Sequence, residues 1–312
     1  MKQPTTLRRD GGLFALSALS SILLALAAVP AHAESRSGKL LLTGGVSSID
    51  GAAGGGLTPW AVTGSYATDD QWGATAHATA VSTGDYRLKT YGAALGYGER
   101  LELSLARQDF DTQNNLAPLG LGGLHLKQNI FGVKLRVAGD AVLDADTWMP
   151  QIAIGAQHKR GDTAGLGPTL YGPLGASKNG TDVYVSATKL FLAQGLLVNG
   201  TLRATKANQN GLLGFGGAQA DKVKLMPEVS VAWLLSKHVA IGAEYRAKPD
   251  NLNRSVLGTG ALQEDDWMDV FVAWAPSKNF SLTVAYVDLG KIVPALQPKR
   301  QTGAYLSIQF AY

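Results

Sequence analysis

The fold the sequence predicts is all-β, a transmembrane antiparallel up-and-down β-barrel of about fourteen strands. Three observations carry it. Runs of about ten residues alternate apolar with polar. The connections between them alternate between short and long, and aromatic residues collect at both ends of one strand face.

A targeting segment precedes the strands. Lys2, Arg8 and Arg9 are basic, an apolar run extends from Leu13 to about Val29, and Ala31-His32-Ala33 has the small-x-small form of a signal-peptidase site. Residues 1–33 are therefore expected to be a cleaved signal peptide, and residues 34–312 the barrel. Arg8-Arg9 is followed by Asp10-Gly11-Gly12, a poor fit to twin-arginine export.

Composition removes several classes. No other run is long and apolar enough for a membrane-spanning helix. Cysteine is absent, which excludes disulfides and thiolate metal sites. The formal net charge is only +4, which gives no reason to expect nucleic acid. Abundant glycine and sparse charge suit a wall with one face on lipid and one on water.

The strands are expected to begin near Lys39, Pro59, Trp72, Tyr86, Arg100, Gln128, Met149, Thr181, Gly195, Val223, Val239, Asp266, Phe280 and Gly303. The clearest alternation is the last, where Leu306, Ile308, Phe310 and Tyr312 interleave with Ser307, Gln309 and Ala311. Short turns fall at Thr68-Gln71, Gly98-Arg100, Ala193-Gly195, Ser236-His238 and Ser277-Asn279, with a longer one at Gly139-Thr147. Long connections fall between them, apart from a brief one near Ser82-Asp85. Sorting of this kind is the periplasmic-turn and extracellular-loop asymmetry of an outer-membrane barrel. On the lipid-facing phase, Trp72, Tyr97, Trp233, Trp274 and Tyr312 lie toward the short turns, while Trp60, Tyr91, Phe131, Tyr245 and Tyr286 lie toward the loops. Two such girdles are expected at headgroup level.

The ending Leu306-x-Ile308-x-Phe310-x-Tyr312 resembles the β-signal by which barrel-assembly machinery recognises its clients. The stretch Leu42-Thr43-Gly44-Gly45-Val46 through Gly51-Ala52-Ala53-Gly54-Gly55-Gly56, then Trp60, resembles an uncharacterised proteobacterial outer-membrane family. Asp85-Tyr86-Arg87-Leu88 and Pro150-Gln151-Ile152-Ala153 resemble it too. That resemblance implies a barrel and no activity. Lipids, lipopolysaccharide and the assembly machinery are then the expected partners, beside a small solute or hydrophobic ligand.

A Lys or Arg facing midplane lipid costs about 2–4 kcal/mol, so mid-strand charges should face inward. Lys134, Arg136, Arg203, Glu228, Glu244, Arg246 and Asp269 all fall on that phase and are the expected pore-lining residues. Arg203, Glu228, Arg246 and Asp269 reach a similar height on successive strands with alternating sign, the pattern of a cross-strand ladder. Gly51-Gly56 lacks the Lys-Ser/Thr and helix of a phosphate loop. It reads as a flexible first loop or as a segment that folds back into the pore. Residues 34–39 alone are too short to fill the lumen. Leu116-Leu126, Leu166-Leu174, Leu212-Phe215 and Val256-Leu262 are apolar for loops, so they should pack on one another, on the rim or on a hydrophobic ligand.

No histidine sits in a nucleophile or metal motif, with His125 and His158 the candidates nearest the rim. Neither enzyme activity nor a cofactor is expected. The leading functional reading is a passive channel for small solutes. Uptake of hydrophobic compounds, in the manner of long-chain fatty-acid transporters, is the second. A structural or enzymatic barrel without transport is the third.

Overall fold

The computed structural model describes residues 39–68, 70–140, 144 and 146–312. The expected signal peptide, with Ala31 and Ala33, lies outside the described residues.

Twelve strands close a single antiparallel barrel. They are numbered here after a two-residue pair, β1 (Val46–Ser47) and β2 (Ala53–Gly54). The barrel begins with β3 (Trp72–Thr83), β4 (Arg87–Tyr97), β5 (Leu101–Asp111) and β6 (His125–Ala138). It continues through β7 (Gln151–Asp162), β8 (Asn179–Phe191), β9 (Leu196–Thr205) and β10 (Lys224–Leu234). The last four are β11 (Val239–Arg246), β12 (Trp267–Ser277), β13 (Phe280–Asp288) and β14 (Thr302–Ala311). Each strand pairs with its sequence neighbours, and β14 closes on β3 with Gly303 opposite Thr83 and Ala311 opposite Thr75.

The wall follows its sequence pattern. In β12, Met268, Val270, Val272 and Trp274 are exposed while Trp267, Asp269, Phe271 and Ala273 are buried. Exposed apolar side chains continue around the outside, as a lipid-facing belt requires. Trp72, Tyr97, Trp233 and Tyr312 are exposed at the short-turn end, and Tyr91, Phe131 and Tyr286 toward the other. Loop parity also holds from β3 onward, apart from the brief β3–β4 connection at residues 84–86 and the longer β6–β7 turn.

The strands expected at Lys39 and Pro59 do not join the wall. Closure falls on β3 instead of residues 39–46. Residues 46–65 are all buried, and they lie inside the barrel. The physical reason is composition: Gly51-Ala52-Ala53-Gly54-Gly55-Gly56 offers no alternating large apolar side chains to cover with lipid. Trp60, expected in the outer girdle, is consequently buried at 4% exposure.

Candidate functional site

The candidate site is the lumen and the bowl above it. An inward polar wall must satisfy its hydrogen-bonding groups, and the inserted backbone must satisfy its own. Each supplies the other. Glu102 on β5 accepts from Ala53 N at 3.0 Å and Gly64 N at 2.9 Å. Lys134 on β6 pairs with Glu102 at 3.1 Å and donates to Ala53 O at 2.8 Å. Glu244 on β11 accepts from Leu57 N at 2.8 Å and Thr58 Oγ1 at 2.6 Å. Pro59 O accepts from Ser186, Asn199 and Thr201 of β8 and β9. Lys39 Nζ donates to Thr63 O and Ser65 O, fastening the segment near its exit to β3. Little room is left for side chains beside this backbone: a Cβ on Gly55 would sit 2.0 Å from Glu244 Oε1.

Charges converge at Asp50. Its carboxylate meets Arg246 Nη1 at 2.9 Å and Lys159 Nζ at 3.6 Å, and accepts from Asn210 Nδ2 at 2.6 Å. Lys159 also pairs with Asp182 at 3.0 Å. Arg203 binds Glu228, and Arg246 Nε lies 3.4 Å from Glu228 Oε1. Three members of the expected ladder therefore meet. Asp269 does not join them. The register of β11 with β12 sets it opposite Glu244 instead of Arg246, and neither of its carboxylate oxygens has a hydrogen-bond partner among the described residues. Lys134, Glu244 and Asp269 face inward, whereas Arg136 sits at the short-turn rim with Asp140 at 2.9 Å and Glu99 at 3.7 Å.

Glu102, Lys159 and Asp182 complete this wall. Inward phase alone could have singled out Lys159 and Asp182. Nothing local marks Asp50, which belongs to the Gly-rich insertion.

A second segment enters from the loop end. The β9–β10 connection buries Asn208, Gln209 and Asn210, the last two at positive φ of 43° and 60°. Asn210 Oδ1 accepts from Lys159 Nζ at 2.6 Å and Arg246 Nη2 at 2.8 Å. The two inserted segments thus meet at Asp50 and Asn210.

Above that junction lies an apolar cavity of about 560 Å³. Ile49, Leu57 and Leu212 come from the inserted segments, while Val81, Leu88 and Phe110 come from strand or near-strand positions. The apolar loops singled out in the sequence supply Leu119, Leu170 and Leu262, joined by Ile292 from the β13–β14 loop. Leu170 is carried on the single helical turn α1 (Gly167–Tyr171). Beside the cavity, Lys248 Nζ pairs with Glu264 at 3.5 Å and donates to Gln209 Oε1 at 2.7 Å. Burial pushes Lys248 down to about 8 against the pull of Glu264, and pushes Glu264 up to about 7 against the pull of Lys248.

The histidines do not assemble a site. His125 contacts Asp109 at 2.5 Å and His158 contacts Thr181 at 3.0 Å, both on exposed strand faces. Among the described residues, no cluster of three or more His, Cys, Asp or Glu is placed to hold a metal. At the C-terminus, Leu306, Phe310 and Tyr312 are exposed on the outer face, and Ile308 is half-buried on it.

A closed antiparallel wall with an apolar exterior, two aromatic levels and a polar, occupied interior defines an integral outer-membrane β-barrel. The chain belongs to the family described as "Protein of unknown function (DUF3034)", whose model matches residues 43–309. No match is found among the curated proteins. Solved structures similar to it include the "KdgM porin in complex with disordered oligogalacturonate", at TM-score 0.47 and 10% identity over 76% of this chain and 99% of that one. The COG4313 outer membrane channel from Pseudomonas putida F1 gives 0.46 and 10% over 79% and 96%. Outer membrane phospholipase A from Escherichia coli gives 0.40 and 9% over 76% and 92%. Scores at this level assign neither substrate nor activity to this chain.

Proposed function

We propose that this protein is an outer-membrane channel whose lumen is closed, in the conformation described, by residues 46–65. The supporting observation is the chemistry of the closure. The segment is held to the wall by hydrogen bonds and one buried carboxylate, contacts that water and counter-ions can replace, beside the apolar packing of Ile49, Leu57, Trp60 and Val62. Its own regular structure is one two-residue pairing and a bridge between Gly54 and Pro59, so wall contacts decide where it rests. With the segment displaced, Lys134, Arg203, Glu228, Glu244, Arg246 and Asp269 would line an aqueous path and set its ion preference. Arg136 would stand at the periplasmic mouth. Export by a signal peptide cleaved after Ala33, and recognition of Leu306, Ile308, Phe310 and Tyr312 by the assembly machinery, belong to the same reading.

A removable cross-link tests it. Thr58 Oγ1 and Ser230 Oγ lie 2.5 Å apart, joining the inserted segment to β10 through two short side chains. The chain has no cysteine of its own, so Thr58→Cys with Ser230→Cys makes one defined disulfide. In planar bilayers the oxidised protein should be silent and the reduced protein should open. A barrel lacking residues 46–65 should conduct steadily. Equal conductance in both redox states, or a folded but silent deletion barrel, would refute the gated channel.

A further inference from the structure

The cavity over the inserted segments carries an inference about ligand chemistry that goes beyond the channel reading. Its lining is mostly leucine and contains no Asp, Glu, Lys or Arg. A volume of about 560 Å³ falls in the range of roughly 300–1,000 Å³ that encloses a small molecule. An apolar hollow of this size is a poor place for water, which needs polar partners.

Trp267 and Tyr86 line the cavity through their rings, with Nε1 and the hydroxyl closed off from the space. Trp267 is 5% exposed and Tyr86 3%. The nearby cation is already committed: Lys248 lies over the Trp267 ring at 4.5 Å and is held by Gln209 and Glu264. An anionic ligand would therefore enter an apolar space without an unengaged cation, at a large desolvation cost.

The geometry points to a binding site for a neutral lipophilic molecule, seated in the extracellular bowl against Ile49, Leu57, Leu170 and Leu212. The occupant is a neutral compound and not a fatty-acid anion. Entry is from the loop side, where Leu119 is 59% exposed. The site is formed with the inserted segments in place, since Ile49, Leu57 and Leu212 form part of it. Binding consequently does not require the channel to open.

The test uses the whole protein in nanodiscs and prodan, a neutral naphthyl ketone whose emission reports hydrogen bonding to its carbonyl. Saturable binding of one molecule per chain is expected above that of empty nanodiscs. Leu170→Trp should weaken it several-fold by taking room from the cavity. Should that variant fail to fold, Leu119→Trp narrows the same space from the rim. Methyl laurate should displace prodan and laurate should not. Absence of saturable binding, indifference to the cavity-narrowing variants, or equal competition by laurate would each overturn the assignment. Because no conductance is read, these failures are distinct from failure of the channel reading.

Discussion

Asp50→Asn removes the single charged side chain that residues 46–65 place in the lumen. In the native arrangement that carboxylate meets Arg246 at 2.9 Å and Lys159 at 3.6 Å, with Asn210 donating at 2.6 Å. Removing one member of an isolated buried ion pair costs roughly 3–5 kcal/mol. Here each cation keeps another carboxylate: Lys159 holds Asp182 at 3.0 Å and Arg246 lies 3.4 Å from Glu228. A loss of about 2–3 kcal/mol is therefore expected for the seating of the segment. At tenfold per 1.4 kcal/mol, the opening constant should rise about 30- to 150-fold. Ser48 provides the reporter, since it is fully buried and its hydroxyl has no partner among the described residues. A charged maleimide should label Ser48→Cys slowly in the otherwise unchanged barrel, and faster by that factor when Asp50→Asn is added. Reclosure must outrun labelling for rates to report the equilibrium, so the ratio is read at limiting reagent. A change below about threefold, with both proteins folded, would show that Asp50 does not hold the segment.

Three further outcomes follow from the same geometry. Glu264, raised from 4.5 to about 7, contributes stability that is full below 4.5 and lost as pH rises through 7. Lys248, lowered from 10.5 to about 8, contributes stability that is full above 10.5 and lost as pH falls through 8, so the β11–β12 loop should be weakest between 7 and 8. Hydrogen-exchange protection of residues 248–265, corrected for intrinsic rates, should exceed its value near pH 7.5 when measured near pH 5.5, and Glu264→Gln should flatten that difference. Epitope tags at Gly120 or Gly258 should be tolerated and visible on intact cells, and tags at Ser236 or Lys278 hidden until the outer membrane is opened. A tag at Gly214 should block assembly, because this residue is buried at φ 78° with a Cβ site 2.8 Å from Ser177 O; surface display there would contradict the inward loop. Deleting Phe310-Tyr312 removes the Phe310 and Tyr312 outer-face aromatics and the Tyr312–Ala74 backbone bonds that close β14 on β3. The truncated chain should remain periplasmic and protease-sensitive, and normal outer-membrane levels would refute the role given to this strand.

The sequence by itself determined the wall. Starts expected from Trp72 to Gly303 lie within three residues of the observed strands, because alternation and the cost of charge in lipid act residue by residue. The same locality placed Lys134, Arg203, Glu228, Glu244, Arg246 and Asp269 on the inner face. It also paired Glu228 with Arg246, which stand opposite each other across β10 and β11. Tertiary structure alone decided the strand number and the contents of the lumen. A glycine-rich stretch has no side-chain period to declare its place, so Val46-Ser65 became an insertion only once twelve strands had closed around it. Asp269 shows the same limit at one residue. Period two fixes the face of a side chain, whereas its neighbour depends on register, and register set Asp269 beside Glu244. The apolar loops were legible as a departure from ordinary loop polarity. That they arch over a cavity depends on segments far apart in the chain, brought together only by barrel closure.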